Sequence, residues 1–343
     1  MELKELYRVV FKAKRVGPEK VMISPTDYCN LRCKICWRLE KGDYLDEPSL
    51  PEMKRWLKEC KNLGVKIIDL TGGGEAFMRK DILKILKFVK KLGFYGTLTT
   101  NGTLIDEKSM KEMIRMGWDD IAFSLDGPER INDDIRGEGV FKKVISTIKI
   151  FNELKRERST EKPIIRIATV VNRKNYKTLN RVVKLANSLG LNSIYFSTLV
   201  EWKTNKSFWI RGFEKELVKE HLKRAEVLAE NYGIHTNLKS LIRHGVGAHE
   251  PPKFCFAPWL MLFINASGDA MVCCTLASLY SNVVGNAKEE SIEEIWFGKK
   301  MEKFRERMKK RDFFPQCKRC IPEFVDNFNE WINGMEDATR RNR

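Results

Sequence analysis

The chain has 343 residues, 43% of them hydrophobic, which is enough for one large domain plus a smaller one and excludes a disordered polymer. Its 63 Lys and Arg against 46 Asp and Glu give a formal charge of +17, which attracts anions. The cations are scattered along nearly every predicted helix. They form no aromatic-interleaved stripe, so a solvated Lys/Glu-rich surface is favoured over nucleic-acid binding. No apolar run approaches the ~20 residues that span a bilayer, and Met1 to Lys20 lacks the apolar core of a secretory signal. Nine Cys fit a reducing compartment and metal binding better than a disulfide framework. The expectation is a cytoplasmic protein with no membrane span.

Residues 1–19 read as a helical, basic lead. Strand-like runs follow at Val21–Ser24, Val65–Leu70, Gly96–Thr100, Asp120–Leu125, Ile164–Val171 and Ser193–Leu199. Helix-period segments lie between them, near Leu50–Leu63, Lys80–Leu92, Asp106–Met116, Val140–Lys155 and Tyr176–Leu189. Gly64, Gly93, Gly117 and Gly190 follow four of these helices, as C-cap residues do. Strands alternating with helices predict βαβ units and a parallel sheet. No G-x-G-x-x-G turn is present, so residues 20–200 are expected to form an α/β fold of the partial (β/α)6 TIM-barrel type. Functional groups in such barrels sit at the C-terminal strand ends. Residues 201–250 form an aromatic-rich helical crossover, and residues 251–343 a small C-terminal domain.

The stretch Cys29-Asn30-Leu31-Arg32-Cys33-Lys34-Ile35-Cys36 follows the first strand. Thiolates are soft ligands suited to zinc, copper(I) or iron–sulfur clusters. A four-iron cube usually takes four Cys, and this loop supplies three, which leaves one corner open for chemistry. The second strand ends in Thr71-Gly72-Gly73-Gly74-Glu75, where glycines let a backbone pass close to a ligand beside a carboxylate. Asn101 ends the third strand. On the fourth, alternation puts Ser124 and Asp126 on one side, within reach of a ribose or carboxylate. Arg136 follows, and a planar guanidinium pairs bidentately with a carboxylate. Arg166 interrupts the fifth strand, either as an anion site or as a structural partner.

A second group of thiols comprises Cys255, Cys273, Cys274, Cys317 and Cys320. Residues 261–272 read as strand, Gly-containing turn, strand, a hairpin that returns Cys273 toward Cys255. Neighbouring strand residues face opposite ways, so one of Cys273 and Cys274 points at a given metal. Zinc would suffice for four such thiolates. Cys60 sits in a helix and reads as a buried apolar residue.

The C-x3-C-x2-C loop resembles that of the radical SAM superfamily, with Ile35 where the family usually carries an aromatic residue. The Gly73-Gly74-Glu75 turn, Asn101, the Ser124/Asp126 pair and Arg136 resemble its cofactor-binding strand ends. The resemblance implies that Cys29, Cys33 and Cys36 hold a 4Fe–4S cluster whose open iron binds S-adenosyl-L-methionine (SAM). Gly73, Gly74 and Glu75 would contact the methionine amino group, and Ser124 and Asp126 the ribose and carboxylate. It further implies reductive cleavage of SAM to a 5′-deoxyadenosyl radical that abstracts hydrogen from an unactivated carbon. Cys255, the Gly268-x4-Cys273 hairpin, Gly285-Asn286 and the Cys317–Cys320 pair resemble the auxiliary-cluster domain of SPASM and twitch enzymes. That implies one auxiliary 4Fe–4S cluster on Cys255, Cys273, Cys317 and Cys320, with zinc as the alternative, and an oxidative outcome.

The expected partners are an external one-electron donor of the ferredoxin or flavodoxin type and a substrate. The substrate expectation is a peptide or protein, or a small molecule undergoing dehydrogenation, and the positive charge keeps an anionic small molecule available. A nucleotide, tRNA or lipid substrate is the alternative within the family. From a different class, the chain would be a zinc or iron–sulfur module without catalysis.

Overall fold

Six strands pair side by side in chain order and all run parallel: β1 (Lys20–Ile23), β2 (Ile67–Leu70), β3 (Tyr95–Thr100), β4 (Asp120–Ser124), β5 (Ile164–Val171) and β6 (Ser193–Thr198). The computed structural model describes residues 15–41, 46–246, 255–274, 282–314 and 317. The strands are joined by α1 (Arg38–Lys41), α2 (Leu50–Asn62), α3 (Ile82–Lys91), α4 (Glu107–Arg115), α5 (Glu129–Arg136), α6 (Val140–Glu157) and α7 (Leu179–Ser188). This is the expected partial (β/α)6 barrel.

Its local causes are ordinary. Ser49 caps α2 and accepts from Glu52 N, while the Glu52 carboxylate accepts from Ser49 N. Met53, Trp56, Leu57 and Cys60 recur at helical spacing and bury one face of α2 against the sheet. Burial of side chains this size contributes roughly 1.5–3 kcal/mol each. Cys60 is thus the buried apolar residue that its helical setting suggested. In β5 the burial alternates strictly: Ile165, Ile167 and Val171 lie under the helices, while Arg166, Ala168 and Val170 face the half-open barrel interior.

Three elements depart from expectation. An eight-residue helix, α5, follows Pro128 and ends at Gly137. No single helix runs from Ser291 to Lys310: Gly298, with its extended backbone, separates α11 (Ile292–Phe297) from α12 (Lys299–Lys309). A two-residue strand, β7 (His235–Thr236), pairs with β6 beyond the crossover, between α8 (Lys215–Asn231) and α9 (Leu238–His244).

The C-terminal region joins the barrel through the sheet itself. After α10 (Ala257–Leu260), β8 (Met261–Ile264) pairs parallel with β1, residue for residue from Lys20↔Met261 to Ile23↔Ile264. The antiparallel hairpin continues with β9 (Asp269–Met271) and β10 (Gly285–Asn286), so one ten-stranded sheet runs β10-β9-β8-β1-β2-β3-β4-β5-β6-β7. Helix α2 anchors the same region from outside. The Trp56 indole donates to Ala287 O at 2.7 Å, and Ile292 N donates to the Glu59 carboxylate at 2.9 Å. No helix among the described residues is long and apolar enough to cross a membrane.

Candidate active site

The loop after β1 and the turn after β2 are stitched together backbone to backbone. Gly74 N donates to Thr26 O at 2.6 Å and Glu75 N to Tyr28 O at 2.8 Å. A Cβ on Gly74 would overlap the Tyr28 carbonyl, and one on Gly73 would overlap Ser24 Oγ and Thr26 O. Gly73 also has φ +61°, where glycine is favoured. These glycines therefore let two segments of the chain touch, where the sequence suggested room for a ligand. The residue so positioned by Tyr28 is Cys29. We expect Gly74→Ala to cut the iron content of the amino-end site several-fold while leaving the far-UV circular dichroism spectrum unchanged. Unaltered iron loading would refute the stitch.

The Glu75 carboxylate is buried and accepts from Thr100 Oγ1 at 2.7 Å, Asn101 N at 2.6 Å and Phe77 N at 3.2 Å. Burial pushes its pKa up, and these three donors pull the other way. Both oxygens are thus engaged by the chain's own donors, and Thr100 is a partner that the sequence did not suggest. Asn101 continues the chain of contacts, with its Nδ2 2.9 Å from Asn30 Oδ1 and 3.9 Å from Cys29 Sγ. Glu75, Asn101 and Cys29 are therefore one connected unit.

Cys33 and Cys36 are held from the other side. Cys33 Sγ lies 3.9 Å from Arg136 O, and Lys34 N donates to Ile135 O at 2.8 Å, so the end of α5 supports the loop. Ile35 packs with Ile135, Leu199 and Phe208. Burial raises the Cys33 thiol to about 11, with Arg136 opposing, and raises Cys36 as well. Charge on Cys29 would raise both further, which places the three sulfurs within one electrostatic neighbourhood.

Asp126 and Arg136 meet as a buried ion pair, Nε to Oδ2 2.7 Å, and Asp126 Oδ1 accepts from Val170 N at 2.8 Å. The sequence suggested two independent ligand groups, whereas here each occupies the other. Ser124 is half-buried at the end of β4, and no described contact ties it to the other site residues. Arg166 pairs with Asp120 inside the barrel, near Tyr95 and Asp69, which resolves its reading toward structural pairing.

In the C-terminal region, burial raises Cys255 to about 11, and Cys317 lies close enough for its charge to add. Cys273 and Cys274 follow β9 directly and pack against Met22, Met261, Phe263 and Met271. Cys273 also packs, like Cys255, against the main core. Phe263 reaches back to the Gly72–Gly74 turn, 2.8 Å from where a Gly72 Cβ would stand. Cys320 lies outside the described residues.

These thiols suit iron–sulfur binding. None of the eight described cysteines is in a disulfide, and burial raises the thiol pKa of Cys33, Cys36, Cys255 and Cys317, so metal binding would displace protons. Among the described residues no three Cys, His, Asp or Glu side chains close on a single-ion site. A cluster takes one thiolate per iron, so its ligands gather around a cube and stand farther apart than those of a single ion.

A partial barrel with three thiols at its first strand end, and a second thiol group joined to the same sheet, defines an iron–sulfur barrel enzyme. Residues 23–186 match the model of the Radical SAM superfamily, and residues 255–321 match SPASM, an iron-sulfur cluster-binding domain. The chain belongs to the radical SAM superfamily and carries a SPASM domain. Its cofactors are accordingly a 4Fe–4S cluster with SAM in the first domain and an auxiliary iron–sulfur cluster in the second.

The tungsten-containing aldehyde ferredoxin oxidoreductase cofactor-modifying protein of Pyrococcus furiosus is 25% identical, over 86% of this chain and 85% of its own. The AdoMet-dependent heme synthase of Methanosarcina barkeri is 24% identical, over 82% of each chain. In fold, the chain resembles Streptococcus suis SuiB bound to precursor peptide SuiA, with TM-score 0.69 and 18% identity, covering 93% of this chain and 74% of that one.

Proposed function

We propose that Cys29, Cys33 and Cys36 hold the SAM-binding 4Fe–4S cluster and that Cys255, Cys273, Cys317 and Cys320 hold one auxiliary cluster. When bound, the first cluster and SAM supply reductive sulfonium cleavage and hydrogen abstraction from an unactivated carbon, and the second supplies electron transfer. The observation that carries this is the connected unit of Glu75, Asn101 and Cys29, with Cys33 backed by Arg136. In this reading Glu75 acts through the backbone. By fixing Asn101 and the Gly73–Gly74 turn, it presents the edges of β2 and β3 to the methionine end of SAM. Asp126 and Arg136 act as a pair, neutralising each other while steadying the loop beside Cys33. Ser124, whose hydroxyl has no described partner, is the group left to reach the ribose. Reducing equivalents would come from an external ferredoxin- or flavodoxin-type donor.

The substrate proposed is a peptide or protein segment entering the half-open barrel interior. Support comes from the likeness in fold to SuiB, whose structure holds a precursor peptide. A second reading, a cofactor-sized small molecule undergoing dehydrogenation, is favoured by the Pyrococcus and Methanosarcina relatives, which span most of the chain and are named for cofactor modification and heme synthesis. The two separate in one experiment. Reconstituted enzyme, SAM and reductant are incubated anaerobically with each short peptide that sequencing of the flanking DNA finds, and with the SuiA precursor peptide. Mass spectrometry should show hydrogen loss or a new crosslink in one of them. If SAM is cleaved while every such peptide stays intact, the peptide reading falls and the small-molecule reading stands.

A further inference from the structure

We propose that Asn205, in the crossover beyond β6, is a positioning residue for Cys36. The inference rests on the proposed role of Cys36 as a cluster ligand. Asn205 is fully buried at 0% exposure in the helical turn Lys203–Phe208, and its amide makes four hydrogen bonds. Its Oδ1 accepts from Trp202 N at 2.9 Å and from the Trp209 indole at 2.7 Å. Its Nδ2 donates to Val200 O at 3.0 Å and to Ile35 O at 3.4 Å. Three of these bonds shape the crossover. The fourth crosses 170 positions of sequence to the cysteine loop.

The Ile35 carbonyl belongs to the peptide bond that enters Cys36, so whatever holds that carbonyl sets the direction in which Cys36 leaves the loop. The other two cysteines have their own supports from the barrel: Cys29 through the Tyr28–Glu75 stitch and Asn101, Cys33 through the end of α5. Hydrogen bonds to Cys36 itself come from its own loop, with its N donating to Cys33 O at 2.9 Å and its O accepting from Leu39 N at 3.2 Å. Asn205 gives the third cysteine an anchor from outside the loop. Phe208 shares one apolar cluster with Ile35, so the crossover meets this residue through both its carbonyl and its apolar surface. Only an amide offers donors and an acceptor at one side-chain end, which explains asparagine here.

The test uses the full-length protein, reconstituted anaerobically, with the Asn205→Asp and Asn205→Ala variants. Asn205→Asp keeps the shape and the acceptor for Trp202 and Trp209 but removes the donor to Ile35 O and to Val200 O. Trp209→Phe is the control, since it deletes a bond to the same amide and spares the Ile35 carbonyl. Electron paramagnetic resonance of the reduced protein is recorded with and without SAM, beside iron content and thermal melting. The expected result is loss of the SAM-induced spectral shift in both Asn205 variants, with iron falling toward roughly half as one of two clusters drops out. Trp209→Phe should keep both. A wild-type SAM response in Asn205→Asp overturns the proposal. So does parallel loss of iron from both sites with a lowered melting temperature, which would assign Asn205 to folding of the crossover alone. If the wild-type protein itself shows no SAM response, the cluster assignment fails instead.

Discussion

We expect that replacing Cys29, Cys33 and Cys36 together with alanine abolishes SAM cleavage and removes about four irons per chain, while the C-terminal iron remains. The reason is local. All three thiols come from one loop, and the bonds that stitch this loop to the turn after β2, Gly74 N to Thr26 O and Glu75 N to Tyr28 O, use no cysteine side chain. Their removal therefore deletes the metal ligands without deleting the stitches between the loops after β1 and β2. The fold should survive: the far-UV circular dichroism spectrum should match that of the wild type. The measurement is iron and sulfide content with a SAM-cleavage assay under a strong reductant. A triple variant that still cleaves SAM at the wild-type rate would remove the basis of the whole assignment.

Asp126→Asn is the second large effect, and it acts on stability before chemistry. Asp126 is fully buried, and the Arg136 side chain is 10% exposed. Burial opposes the charge on Arg136, and the Asp126 carboxylate beside it restores it. Removing the carboxylate's charge leaves a guanidinium in a dry site with no counterion, which costs about 3–5 kcal/mol. Asparagine still offers an oxygen to Val170 N, so the loss isolates the ion pair. Denaturant unfolding should show the midpoint drop, and a double variant with Asp126→Leu and Arg136→Met should recover much of it. A midpoint equal to that of the wild type would show that the pair contributes nothing. Because the carbonyl of Arg136 also faces Cys33, the same variant should load iron poorly at the first site.

The barrel was largely legible because its signals are local. Alternation in β5 and glycines just past α2, α3, α4 and α7 mark element ends within a few residues. The short helix α5 has equally local marks, Pro128 before it and Gly137 after it, but its eight residues also read as an acidic segment leading to Arg136. What could not be read is pairing over distance. Nothing within residues 261–264 says that their neighbour is β1, some 240 positions earlier, so the hairpin read as the start of a separate domain. The same limit applies to the site. The sequence placed Glu75 and Asp126 at strand ends and Arg136 just downstream, but could not show that Thr100 and Asn101 occupy Glu75 or that Asp126 occupies Arg136. Asn205 lies in a polar stretch with no periodicity to mark it.

Strand β8 gives the last third of the chain a duty unrelated to its metal. It fills the flank of β1 that would otherwise present bare amides and carbonyls to solvent, a template on which foreign strands or sister molecules could add. The first cofactor loop therefore cannot be transplanted as a free-standing catalytic half. Any ancestor or designed miniature of this enzyme must hide that margin by some other means before its chemistry can be kept.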